Sequence, residues 1–177
     1  MPRTGIRPLP AAPSDDAPPM PGVIPSDPAN RRRLSAPAIR TFVAISDLWG
    51  LNEAHRLRIL GSPSRSAYQS WTKAVREHEE IMLGVDVLTR ISAVLGIHSA
   101  LGILEQDEAS GIAWLRRPHG ALSFGGQPPM DLVAGGTLDG LMVVRRFLDA
   151  ARGGQYMAPN GVDRGVSTYR DEDVVFT

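Results

Sequence analysis

The chain has 177 residues, an apolar fraction of 42% and a formal net charge of zero, which suits one folded unit or two small ones. The absence of cysteine excludes disulfides and thiolate metal sites, and it fits a reducing cytoplasm. Because the sequence has neither an uninterrupted apolar run of about 18 residues nor the apolar block of a signal peptide, we expect a cytoplasmic protein without a membrane partner.

The first segment, residues 1–34, carries most of the chain's 15 prolines and few aromatic or β-branched residues. Such a composition cannot bury enough apolar surface to offset the entropy of ordering, so the segment is predicted to be disordered. It closes with Arg31-Arg32-Arg33, which either contacts DNA phosphate or only aids solubility.

Three helices are predicted next from apolar spacing, caps and glycine stops, at residues 35–48, 52–60 and 62–76. Ser35 is a suitable cap for the first, with Pro37 in its first turn, and Ser62 for the third. Two short helices joined by a tight turn at Gly61 have the arrangement of a helix-turn-helix, which we assign to residues 35–78.

Four more helices are predicted at residues 85–104, 108–116, 129–135 and 137–152, with a loop between residues 118 and 127. They form a second predicted domain, residues 79–154, in which Trp114 and Phe147 are expected to be core residues. The tail, residues 155–177, is predicted to be irregular, with possible strand character at Asp173–Thr177. The predicted fold class is therefore all-α.

The third predicted helix separates into two faces. At 100° per residue, Ala67, Trp71 and Ala74 point to the core, and Tyr68 lies between the faces. The opposite face carries side chains that suit phosphate and base edges: Arg65, Ser66, Gln69, Thr72, Lys73 and Arg76. No acidic residue lies between Gly61 and Arg76, which favours a DNA-binding face over an ordinary solvated one, although both interpretations remain open.

The sequence offers no catalytic, metal or cofactor site. The four histidines lack the spacing of metal ligands, and no phosphate-binding loop or nucleophile elbow occurs. We therefore expect a binding protein rather than an enzyme, without a cofactor.

Several motifs occur in order in the second predicted domain: WLRRPH at 114–119, FGGQPPMDL at 124–132 and GLMVVRRFLD at 140–149. Together they resemble the toxin-binding domain of Xre/MbcA/ParS-type antitoxins. Upstream, LNE at 51–53 and RSAYQSW at 65–71 resemble the Xre-like DNA-binding half of that family, so the resemblance covers about residues 36–154. His119 and Met130 depart from the pattern, which usually has Asn and Leu there.

The resemblance implies a type II antitoxin that sequesters a RES-domain toxin, a class that degrades NAD⁺, and represses its own operon by binding operator DNA. A homo-oligomer within the complex is also implied. The rigid Pro/Gly loop is the candidate toxin contact, through Arg117, Pro118, His119, Gly126, Pro128 and Pro129. The alternatives are that the loop only connects two helices, and that the protein is a stand-alone transcription or partition factor whose C-terminal domain dimerises.

Overall fold

A computed structural model describes residues 27–153, and within them the chain forms seven α-helices and no strand. The helices are α1 (Pro28–Leu48), α2 (Glu53–Ile59), α3 (Arg65–Arg76), α4 (Val85–Leu104), α5 (Glu108–Arg116), α6 (Pro129–Gly135) and α7 (Leu138–Arg152). The predicted all-α class is confirmed for this part of the chain. The expectations for residues 1–26 and 155–177, including the strand at Asp173–Thr177, lie outside the described residues.

The start of α1 corrects the sequence prediction. The helix begins at Pro28, where the side chain of Asp27 accepts hydrogen bonds from the backbone N–H groups of the first turn. Residues 28–34, predicted to be disordered, are therefore helical. Ser35 is buried rather than capping, and Pro37 lies inside the helix. Asp27-Pro28 and Ser35-x-Pro37 are both N-terminal signals, and the structure uses the earlier one.

The cap of α3 is a second correction. The side chain of Ser64, not Ser62, accepts the capping hydrogen bond, from the backbone N–H of Ala67 at 3.1 Å. Ser62 instead has a left-handed backbone with φ of 60° and continues the turn begun at Gly61. The predicted caps Asn52 and Thr137 are confirmed, with bonds to the first turns of α2 and α7 of 2.9 and 3.0 Å.

The core is built around α4, which packs against α1, α5 and α7, while α6 packs on α2 and α7. By length and composition α4 could cross a membrane, but seven of its residues are buried in the packed core. Buried side chains from both predicted domains, such as Phe42 and Ile59 on one side and Ile97 and Leu141 on the other, belong to one hydrophobic cluster. The boundary at residue 78 is thus not a gap in the packing.

Two polar contacts join the two sides of that boundary. The buried Ser35 hydroxyl accepts from the backbone N–H of Leu83 at 2.9 Å and donates to the carbonyl of Arg31 at 2.6 Å. The second contact is the bond that Arg116 donates to the carbonyl of Trp49, at 2.7 Å. This bond runs from α5 to the end of α1, so side chains and backbone connect the halves at separate points.

Candidate partner-binding surfaces

The predicted DNA-binding face lies on α3, which packs against α1. Tyr68 and Ala74 are buried, and Ala67 and Trp71 are partly buried, so these four side chains form the inner face. Tyr68, which the sequence placed between the faces, is only 7% exposed and is a core residue.

The six predicted DNA-contact residues share the outer side of α3. Five of them are exposed and Thr72 is partly buried; the exposed ones are Arg65, Ser66, Gln69, Lys73 and Arg76. The structure therefore brings these side chains to one surface.

Two of the cations on this face have acidic neighbours. Arg65 forms an ion pair with Glu53 at the start of α2, and the Nζ of Lys73 lies 3.9 Å from the Oε1 of Glu77. The sequence showed no acid within α3, but it could not show that Glu53 reaches across the turn. Exposed pairs of this kind are weak, and a phosphate could replace either carboxylate at small cost.

A groove of about 420 Å³ runs beside this face, between α1 and α3. Gln69, Thr72 and Arg76 line it together with Arg40 of α1 and Arg56 of α2. Burial alone would lower the pKa of Arg56, but its hydrogen bonds to Asp47 and Tyr68 outweigh burial and raise it. Arg40 extends the basic character of the surface beyond the residues that the sequence singled out, whereas the charge of Arg56 is offset by Asp47.

The predicted loop between α5 and α6 is ordered by its own backbone. The N–H of Gly126 donates to the carbonyl of His119 at 3.1 Å, and the N–H of His119 to the carbonyl of Gln127 at 3.4 Å. At the tip, the N–H groups of Phe124 and Gly125 both donate to the carbonyl of Ala121, at 2.9 and 3.2 Å. These bonds close the loop into a compact unit, which we call the 118–127 loop.

The inner side of the 118–127 loop rests on aromatic rings. Phe124 is buried with its ring centroid 4.8 Å from that of Phe147 and 5.9 Å from that of Trp114, both in edge-on arrangements. The ring of His119 lies 4.4 Å from that of Trp114, and its Nε2 donates to the Trp114 carbonyl at 2.9 Å. Trp114 and Phe147 pack against the hydrophobic core, as the sequence predicted.

The six predicted toxin contacts are not equally accessible. Arg117, Pro118 and Gly126 are exposed, while His119 and Pro128 are partly buried. Pro129 is buried as the first residue of α6, so it supports the loop from within and offers no surface to a partner.

One exposed apolar residue of the 118–127 loop was missed by the sequence analysis. Leu122 has a relative exposure of 101%. Nothing in its local sequence distinguishes it from a buried leucine, because its exposure follows from Phe124 taking the inward position.

Among residues 27–153, no three His, Cys, Asp or Glu side chains are grouped as metal ligands. Hydrogen bonds from Ser110, at the start of α5, hold the pKa of the Asp107 carboxyl below its ordinary value because they stabilise the charged form. This carboxylate caps the start of α5.

Comparison with known proteins places the 118–127 loop inside a described domain. The family model for the antitoxin Xre/MbcA/ParS C-terminal toxin-binding domain matches residues 99–154, from the end of α4 through α7. An uncharacterized protein of Sinorhizobium fredii (strain NBRC 101917 / NGR234), y4oB, is 35% identical over 116 residues, which cover 66% of this chain and 84% of that protein. The α3 face lies outside the family match.

Proposed function

The chain belongs to the Xre/MbcA/ParS family of antitoxins, and we propose that it neutralises a RES-domain, NAD⁺-degrading toxin by binding it through the 118–127 loop. The observation that carries the proposal is the loop itself. It lies within the matched toxin-binding domain, it is held by backbone bonds, and it is exposed at Pro118 and Gly126, as is Arg117 directly before it.

A preformed loop suits a protein interface because little conformational entropy is lost when it binds. The pairing of His119 with both Trp114 and the backbone of Gln127 fixes the point where the loop leaves α5. In this proposal the protein acts by sequestering its partner in the cytoplasm, as a homo-oligomer in the complex, and performs no catalysis itself.

The test is binding to a RES-domain protein encoded beside this chain. Arg117→Glu reverses an exposed charge directly before the loop, while Arg32→Glu makes the same change at an exposed position of α1. We expect Arg117→Glu to weaken co-purification of the chain with the toxin, so that NAD⁺ is again depleted in cells that express the toxin. Arg32→Glu should leave both co-purification and NAD⁺ levels unchanged. Binding by the Arg117 variant equal to that of the parent chain would remove the loop as the contact.

We further propose that the α3 face binds operator DNA and represses the operon. Its support is the set of exposed polar side chains that α3 presents together: Arg65, Ser66, Gln69, Lys73 and Arg76, with Thr72 beside them. Arg40, which lines the neighbouring groove, adds an exposed positive charge to the surface. Phosphate contacts of this kind give affinity, and base-edge contacts give sequence preference.

Two variants of the α3 face and one of its neighbour Glu53 on α2 separate these contributions. Lys73→Ala should weaken binding to all DNA sequences and reduce the salt slope by about one, while Gln69→Ala should relax base preference. Glu53→Gln should strengthen binding, because it releases Arg65 from its ion pair. Gel shifts with operator DNA and scrambled DNA measure all three, and unchanged shifts for the Lys73 and Gln69 variants would contradict the assignment.

The stand-alone regulator remains the alternative to be distinguished. It predicts operator binding without any neutralisation of a RES-domain protein, and self-association through the C-terminal half. An Arg65→Ala/Lys73→Ala variant that loses operator binding but still protects cells from the toxin would favour the antitoxin.

A further inference from the structure

Leu122 is the most exposed large apolar side chain among residues 27–153. The other four, Met82, Val85, Ile103 and Leu104, are between 39% and 60% exposed, against 101% for Leu122. A single exposed leucine is common on protein surfaces and by itself indicates nothing. What sets Leu122 apart is the structure that carries it.

The backbone on either side of Leu122 is fixed. Its neighbour Ala121 accepts two backbone hydrogen bonds, from Phe124 and Gly125, which makes the tip a closed turn. Phe124 anchors that turn in the core through its contacts with Trp114 and Phe147. Leu122 is therefore held outward by a rigid support, so burying it against a partner requires little ordering of the chain.

The position of Leu122 is continuous with the surface proposed to contact the toxin, since Pro118 and Gly126 belong to the same closed loop and Arg117 directly precedes it. We propose that Leu122 is the apolar anchor of that contact and enters a small apolar pocket on the RES-domain toxin. This inference rests on the proposed antitoxin function and names the residue that supplies its affinity.

The loop also restricts how the partner can recognise it. Backbone groups of His119, Ala121 and Gly126 are engaged in bonds within the loop, so the addition of a β-strand from the partner would have to break them. Recognition through side chains remains, with Leu122 at the centre and Arg117 available for an acidic group at the rim. A buried apolar anchor inside a polar rim is the arrangement that concentrates binding energy in few residues.

The test compares Leu122 with Ile103, a second exposed apolar residue on α4. Titration of the purified full-length chain against the RES-domain protein would be carried out for the Ala and Asp variants of both residues. We expect Leu122→Ala to raise Kd roughly tenfold to a hundredfold, which corresponds to the free energy of burying one leucine side chain. Leu122→Asp should raise Kd further. Both Ile103 variants and Leu122→Met should stay close to the parent.

Stability serves as the internal control. Because Leu122 makes no buried contact, its variants should unfold at the same temperature as the parent chain, and they should bind operator DNA equally well. A loss of toxin binding with an unchanged thermal midpoint therefore reports the contact itself.

The possible failures can be told apart. If the parent chain binds the toxin and Leu122→Asp binds equally well, the anchor is wrong while the proposed function stands. If the Ile103 variants lose as much affinity as those of Leu122, the anchor is also wrong, because the effect is not specific to the loop. If the parent chain does not bind the RES-domain protein, both proposals fail.

Discussion

The two halves of the chain present their candidate binding surfaces in different ways. In the N-terminal half, the surface is one side of α3, a regular helix whose exposed residues include Arg65 and Lys73, each with an acidic neighbour. In the C-terminal half, the surface is the irregular 118–127 loop, whose shape depends on rings from α5 and α7. A helical face can exchange its side-chain contacts without changing its backbone, whereas the loop keeps its form only while the core beneath it is intact.

The halves nevertheless share one hydrophobic core, in which α4 packs against α1 as well as against α7. Substitutions on the two surfaces should therefore act separately, because they share no contacts. Substitutions at the junction should weaken both activities together. The predictions that follow test this distinction, beginning with the junction.

The largest effect is expected at Gly136, where α6 meets α2. Its φ of 72° is left-handed, and a Cβ there would overlap the backbone carbonyl group of Arg58. Gly136→Ala therefore combines backbone strain with a clash against a chain segment of the other half, and it should cost about 2–5 kcal/mol of unfolding free energy. Denaturant unfolding, followed by toxin and operator binding, measures the effect.

Gly135 is the matched control, since it is the preceding residue, has no left-handed φ and leaves open space within 4 Å of the position that a Cβ would take. Gly135→Ala should be neutral or should stabilise by a few tenths to about 1 kcal/mol. If Gly136→Ala proves as mild as Gly135→Ala, α2 and α6 are not held together as tightly as the structure indicates.

A smaller effect is expected at Ser35, which joins α1 to the segment before α4. Ser35→Ala removes the acceptor for the backbone N–H of Leu83, which is buried, and should cost about 1–3 kcal/mol. Ser46, also fully buried, has a hydroxyl without a hydrogen-bond partner among residues 27–153, so Ser46→Ala should be neutral or stabilising. Equal thermal midpoints for the two variants would contradict the bridging role of Ser35.

The sequence predicted best those features that local chemistry determines. The bounds of α4 and α5 agree with the predicted ranges, and α7 follows its predicted cap, Thr137, because caps and stops act within one turn. The predicted start of α1 was wrong because two local capping signals competed. The hydrogen bond from the backbone N–H of Leu83 to the Ser35 hydroxyl, which local sequence cannot show, places Ser35 inside the helix.

The surfaces were less predictable than the helices. The polar side of α3 followed from its periodicity, but its ion pair with Glu53 depends on how α2 and α3 meet. In the 118–127 loop, the burial of Phe124 depends on Phe147, more than twenty residues later in the chain. The exposure of Leu122 is a consequence of that distant contact, so no pattern within the loop could have shown it.

A prediction within the loop tests whether its shape matters for binding. Gly126 has a left-handed φ of 80° with open space around it, so Gly126→Ala adds strain without a clash and should cost about 1–2 kcal/mol. Gly120→Ala, where φ is not left-handed and the space is also open, should be neutral. We expect the Gly126 variant to bind the toxin more weakly and operator DNA as before. Toxin affinity that is unchanged despite the loss of stability would show that the loop need not be preformed.

The smallest effect is expected at Asp107, which caps α5 at the surface of the C-terminal half. Backbone hydrogen bonding from Ser110 holds the pKa of its carboxyl below the ordinary value of 3.8. Since the folded state has the lower pKa, the stabilisation is present above about pH 3.8 and is lost as the pH falls through the folded value. Asp107→Ala should thus lower the thermal midpoint at neutral pH, and the difference from the parent should shrink on acidification. Asp107→Asn keeps a capping oxygen but no charge, so its own midpoint should lack this contribution to the pH dependence. Because the halves share a core, the small shift should appear in a single unfolding transition, and a separate transition for the C-terminal half would show that the junction does not couple them.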